Sequence, residues 1–176
     1  MKLQSAIPTT GPRTGKEKTM AIRRVVTGHD EHLKSHIVSD GPAANVRGQR
    51  AGHSSTLIWA TDSAPANITS GEDMGARALR TAPPPNGTRF CVHEIAPHLD
   101  YQPNFHRTDT IDYVLVIKGR LLMRLDKDET ELGPGDMVIM RGTAHSWTNV
   151  GDETCVVAFV LIDSEPIAVP GMEARK

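Results

Sequence analysis

The sequence predicts an all-β fold: an antiparallel barrel or sandwich with an N-terminal arm. Three observations lead there. Between residues 89 and 163, short β-rich runs recur at intervals of roughly ten residues. Turn-forming residues separate the runs. No stretch in that region carries a sustained helical apolar period.

Taken in order, residues 1–20 read as a disordered tail. They hold Lys2, Arg13, Lys16 and Lys18 against one acid, Glu17, a bias similar to that of an organelle transit peptide. They lack the apolar segment of a secretory signal, and Met20 offers an alternative start. Residues 21–82 form an arm of short apolar pieces. Ile22–Val26 and Leu57–Ala60 read as strands, with Gly41-Pro42, Gly48 and Gly52 as breaks between them. Only Glu72–Leu79 suits a short helix, with Ser70 as its cap. The arm has too few apolar residues for a core of its own. It is expected to pack on the barrel or on a partner subunit, adding strands to a sheet edge.

Pro83-Pro84-Pro85 followed by Asn86-Gly87 marks the boundary of a barrel running over 83–165. A tail covers 166–176. Strands are expected at Arg89–Ile95, Ile111–Ile117, Leu121–Leu125, Met137–Met140, Ala144–Asn149 and Cys155–Leu161. Lys118-Gly119 joins two of them. Asp126–Glu129 and Gly133-Pro134-Gly135-Asp136 read as polar turns. Alternation then sorts the side chains. Asp112, Val114 and Val116 share one face, and Tyr113, Leu115 and Ile117 the other. His145, Trp147 and Asn149 share a face. Strands apolar on both sides imply a barrel interior on one side and another layer, or a partner subunit, on the other.

Composition narrows the function. The 176 residues carry 20 Lys and Arg against 21 Asp and Glu, a net charge of −1, so no basic excess favours nucleic acid or a membrane surface. No apolar run approaches the roughly 18 residues needed to cross a bilayer. Two cysteines, Cys91 and Cys155, exclude a disulfide-dense scaffold and a four-cysteine zinc site. They fit a reduced setting, so a cytoplasmic location is expected, with an organelle as the alternative. There is no Gly-x-Ser-x-Gly elbow, phosphate loop or dinucleotide fingerprint.

Two histidine-bearing segments remain: His106-Arg107-Thr108-Asp109-Thr110-Ile111-Asp112, running into a strand that ends at Gly119, and Arg141-Gly142-Thr143-Ala144-His145-Ser146-Trp147-Thr148-Asn149. With Pro134-Gly135-Asp136 ahead of the second, their order and spacing resemble the two motifs of the cupin superfamily. The wording is similar to that of small single-domain bacterial and fungal cupins, many without an assigned activity. The resemblance implies a cupin-type antiparallel β-barrel or jelly roll, a small-molecule cavity and a homodimer. It covers residues 89–163. Several positions depart from the pattern. Thr108 stands where a second histidine belongs, and Asp112 replaces the usual glutamate. Asp100 and Arg141 replace a glycine and a proline, and the step from Gly135 to Gly142 is one residue short.

The resemblance implies His106, Asp112 and His145 as ligands of a divalent metal. Two imidazoles and a carboxylate suit Fe, Zn, Mn or Ni. A metal-free barrel, with the same three residues as acid–base groups, stays open beside it. Thr108, Arg107 and Trp147 are candidates for the substrate cavity; Arg107 could instead form a surface ion pair, and Trp147 could pack in the core. Only one of His93 and Glu94 can face inward, and either could complete the site; His93 otherwise reads as an ordinary strand or interface residue. His98 suits a rim, Arg120 and Arg124 the solvent side of a hairpin, and Tyr113 an outer layer. His29, His32 and His36 read as a solvated loop or turn. The expected function is a small-molecule enzyme acting by metal-assisted proton abstraction, with elimination, isomerisation or decarboxylation. The alternatives are an Fe(II)-dependent dioxygenase and a non-catalytic ligand-binding cupin.

Overall fold

The structure, a computed structural model, describes residues 21–100 and 104–167. The expected tail over 1–20 lies outside the described residues, as does most of the C-terminal one. Eleven strands run in chain order: β1 (Arg23–His29), β2 (Ser35–Pro42), β3 (Val46–Arg50), β4 (His53–Thr61), β5 (Thr88–Ile95), β6 (Thr110–Lys118), β7 (Leu121–Arg124), β8 (Glu129–Leu132), β9 (Met137–Arg141), β10 (Ser146–Asn149) and β11 (Cys155–Asp163). All their pairings are antiparallel. The fold is all-β, as the spacing of the runs predicts.

Strands β3-β4-β5-β11-β6-β9 form a six-stranded sheet, and β10-β7-β8 a three-stranded one. The large sheet takes strands from both sides of the Pro83–Pro85 segment. Strand β11 is its hub, paired with β5 along one edge and β6 along the other. Its alternation drives this position. Cys155, Val157, Phe159 and Leu161 all point into the core with Cys91, Val114, Val116, Leu121 and Met140. Burying each of the larger side chains contributes about 1.5–3 kcal/mol. Cys91 and Cys155 are free thiols, fully buried as small core residues.

Strands β1 and β2 form a hairpin outside both sheets. Its turn is closed by Asp30, whose Oδ1 accepts from the amides of His32 and Lys34 at 2.9 and 2.8 Å. His29, His32 and His36 are exposed on this hairpin. Arg24 fastens β1 to the rest. Its guanidinium pairs with Asp73 at 2.6 Å, donates to the Ile58 carbonyl at 3.3 Å and lies 5.9 Å from the Trp59 ring centroid.

The structure corrects two local expectations and leaves a partner subunit as the cover for a third. Glu72–Leu79 is no helix: a single 3-10 turn spans Met74–Ala76, capped by Asp73 and not Ser70. Arg77 ends it in extended backbone, tied to Glu72 and Asp62 at 2.6 Å each. The polar turn ends at Asp128, and Glu129 opens β8. The outer side of β6 and β9 is uncovered among the described residues. Tyr113 is 48 % exposed there and Ile139 61 %, so the apolar pattern on that side does not mark a buried layer within one chain.

Candidate functional site

The inward faces of the two sheets enclose a cavity of about 560 Å³. All six residues assigned to the site or cavity from the sequence line it: His106, Arg107, Thr108, Asp112, His145 and Trp147. It shares Ile95, Phe159 and Leu161 with the core, so packing fixes its wall.

His106 and His145 come together through the backbone. Outside the regular strands they form an isolated antiparallel bridge, each amide donating to the other's carbonyl at 2.9 Å. Their ring centroids are 4.4 Å apart. The side chains are fixed in parallel ways. His106 Nδ1 donates to the Asn104 carbonyl at 3.0 Å, and His145 Nδ1 to the Thr143 carbonyl at 2.9 Å. Each imidazole's proton is thereby held on Nδ1, which leaves the Nε2 lone pair of the neutral ring available. Burial holds the His145 pKa below its ordinary value.

Asp112 projects from β6 and is 5 % exposed, with Oδ1 lacking any hydrogen-bond partner. Burial raises its pKa, against the opposing effects of the Thr110 hydroxyl and of His106. The site thus gathers two imidazoles and a buried carboxyl, the carboxyl's pKa raised and that of His145 lowered by burial, in one cavity.

The three residues do not form a metal-ligand group. Among the described residues no three His, Cys, Asp or Glu side chains are arranged to hold a metal ion. Thr108 offers a hydroxyl in place of a further imidazole, and that hydroxyl is engaged with Thr110 Oγ1 at 2.7 Å. Asp112 is one methylene shorter than glutamate, which cuts its reach from β6. Two imidazoles and one carboxyl share the cavity, the right kinds of donor for such a centre but not grouped to hold an ion in this arrangement.

Arg107 lines the cavity and also pairs with Asp109 at 3.1 Å. Trp147 combines both of its expected roles: it packs against the core, and its ring stands edge-on to His145 at 5.4 Å and to Phe159 at 5.7 Å. His98 reaches the cavity from the rim. Arg120 and Arg124 pair with Glu131 and Glu129 on the solvent side of β7 and β8.

His93 overturns its reading as an ordinary strand residue. It faces the cavity, while Glu94 turns to the other side and accepts from Ser54 Oγ at 3.2 Å. His93 Nδ1 lies 3.0 Å from His53 Nε2, and its Nε2 lies 3.0 Å from Ser55 Oγ. Burial drives the His93 pKa down to about 3, helped by His53, Arg89 and His106. Arg89 and His53 also line the cavity and were not singled out from the sequence. The signal for Arg89 was available: Arg89, Cys91, His93 and Ile95 alternate along one strand, so an inward Cys91 carries Arg89 inward with it.

Comparison with known proteins agrees with this architecture. The family model for the Cupin domain matches residues 91–162. The cupin-domain-containing oxidoreductase fogC of Aspergillus ruber is 32 % identical over 160 residues, covering 85 % of this chain and 76 % of that one.

The chain is a cupin.

Phomopsin biosynthesis cluster protein C′ of Diaporthe leptostromiformis is 28 % identical to this cupin over 158 residues, spanning 84 % of this chain and 82 % of that one. Among solved structures, the cupin domain of Schizosaccharomyces pombe Cnp3 is similar at a TM-score of 0.49 and 10 % identity, over 81 % of this cupin and 88 % of that chain.

Proposed function

We propose that this cupin is a small-molecule enzyme that moves a proton at a carbon beside a carbonyl, with isomerisation, elimination or decarboxylation as the class of outcome. One observation carries the reading: two imidazoles with their Nδ1 protons tied to backbone carbonyls share a cavity with a buried carboxyl whose Oδ1 has no partner. His145 Nε2 takes the proton from carbon, and the C–H electron pair moves toward the carbonyl. Asp112 in its acid form donates its proton to the carbonyl oxygen, giving a neutral enol. Where the substrate carries a β,γ double bond, the enol is a dienol: return of the proton from His145 to the γ-carbon, with Asp112 taking back the enol O–H proton as the carbonyl re-forms, shifts the double bond into conjugation and completes an isomerisation. Departure of a β-substituent completes an elimination instead. The cavity volume suits a modest organic molecule. The biosynthesis-cluster name of a relative supports a substrate of that kind.

The oxidoreductase name of another relative favours a second reading, iron-dependent oxidation. It requires a third ligand grouped with His106 and His145, which the described residues do not supply in this arrangement.

Deuterium uptake from D₂O into a panel of small aryl ketones and β-keto acids tests the first reading. The wild type should label at least one of them, and His145→Ala should slow labelling by about 100-fold or more. Equal labelling by His145→Ala would sink the assignment. Metal analysis of protein purified without chelator or histidine tag tests the second. Near-stoichiometric iron, lost in both His106→Ala and His145→Ala, would favour oxidation. No labelling and no metal would leave a ligand-binding protein.

A further inference from the structure

Among the charged groups that line the cavity and take no part in the proton-transfer reading, Arg89 is the deeply buried one. Arg89 is only 7 % exposed. Nη1 donates to the Thr81 carbonyl at 3.3 Å and Nη2 to Ser55 Oγ at 3.1 Å, while Nε has no partner. No carboxylate among the described residues pairs with it. Six less buried arginines, Arg23, Arg24, Arg77, Arg107, Arg120 and Arg124, each pair with an Asp or Glu, whereas Arg89 is buried without such a partner. A guanidinium stays charged wherever it is placed, so burying one without a counter-charge is costly. Asp112 lines the same cavity, opposite the same β11 residue as Arg89, but makes no ion pair with it, and the groups Arg89 does touch carry no negative charge. His93 and His53, connected to Ser55 in one hydrogen-bonded chain, are held neutral by burial and by nearby arginines.

The wall between this cation and the imidazole pair is built of rings. His93 lies 4.9 Å from Phe159, Phe159 lies 5.7 Å from Trp147, and Trp147 lies 5.4 Å from His145, centroid to centroid. Such a surface suits a flat body. The cavity therefore joins an uncompensated cation, a ring-lined wall and a proton-transfer pair.

We propose that Arg89 seats the carboxylate of a small planar organic acid, whose flat body lies along Phe159 and Trp147. The identity of the reacting end rests on the proton-transfer reading; the carboxylate seat does not. A carboxylate matches the guanidinium fork and supplies the missing counter-charge.

Calorimetric titration with sodium benzoate, and with benzamide as the neutral molecule of the same shape, tests this. Benzoate should bind the wild type about ten-fold or more tighter than benzamide. Arg89→Gln should lose that preference, and Arg89→Lys should keep part of it. Arg80→Gln, an exposed arginine beside a neighbouring shallow pocket, should keep it within about two-fold. If Arg89→Gln does not fold, the Arg89→Lys affinity and the wild-type preference decide. Benzoate binding no tighter than benzamide in the wild type would overturn the proposal, as would a preference that survives Arg89→Gln or vanishes in Arg80→Gln. Affinity is read without turnover. Arg89-dependent binding beside absent deuterium labelling would thus reject the proton-transfer reading alone, and the opposite pair of results would reject the carboxylate seat alone.

Discussion

Histidines whose pKa values fall on folding make this cupin acid-sensitive in a calculable way. His53, His93 and His145 all sit below their ordinary value because burial penalises the imidazolium, His93 at about 3. The unfolded chain takes up these protons as pH falls through about 6.5, and the folded chain refuses them until lower pH. Their contribution is therefore intact above about pH 7 and lost as pH drops, by about 1.4 kcal/mol per unit for each histidine still neutral in the fold. Asp112 acts in the opposite sense: its raised pKa lets the folded state take a proton first, which offsets part of the loss. Urea midpoints measured from about pH 7 to pH 5 should fall steadily, and His93→Gln should flatten the slope. A flat wild-type profile would mean that these rings are charged in the fold. At this scale the sequence was legible where motif and alternation agreed. Asp112, His106 and His145 could be placed in one cavity because the motifs of the resembled family carry all three; alternation added only that Asp112 shares a face with Val114 and Val116, and His145 with Trp147. His93 and Arg89 lay outside the motifs, and their inward face was legible only through Cys91, the buried residue that shares it.

Among the elements, the β1–β2 hairpin depends on few contacts. Val25, Ile37 and Val38 are exposed, so apolar burial holds it weakly. Arg24 is the clasp, through Asp73, Ile58 and Trp59. Arg24→Ala should raise amide exchange over residues 23–42 by about ten-fold or more and leave β5, β6 and β11 protected. Uniform change across all strands would mean the hairpin folds with the barrel as one unit. The β6–β7 turn is stricter. Gly119 has φ +84°, and a Cβ there would come within 2.8 Å of the Cys155 Cα. Gly119→Ala should cost about 1–3 kcal/mol from backbone strain alone, with the clash added, read as a lower urea midpoint. Strands β5, β6 and β11 were readable because buried strands are written in Val, Leu, Ile and Phe. Strands β2 and β8 were not. They are edge strands with polar or exposed side chains, and their backbone pairing leaves no apolar signature.

The whole molecule presents an open apolar side. Ile111, Tyr113 and Ile117 on β6 and Met137 and Ile139 on β9 are exposed together. The resemblance to small cupins implies a homodimer, and light scattering at micromolar concentration should return about twice the chain mass of 19.1 kDa. A single-chain mass would leave this side to water. Overall architecture was the most legible scale, because turn spacing and strand composition act over 75 residues at once and tolerate local misreading. The cavity's charge balance was the least legible, since it depends on which side chains lack a partner in space.

The mutual backbone bonds of His106 and His145 carry a consequence for how such a protein diversifies. Two main-chain hydrogen bonds set the spacing of the residues that carry the imidazoles, and bonds from each Nδ1 to a local backbone carbonyl orient the rings, so no other residue's side chain is needed to pair them. Mutation at the rim can therefore rewrite which molecule enters without disturbing the tools that meet it. A lineage built on this bridge can exchange one substrate for another by drift at the cavity mouth, and duplicated copies can part in specificity while inheriting the same chemistry.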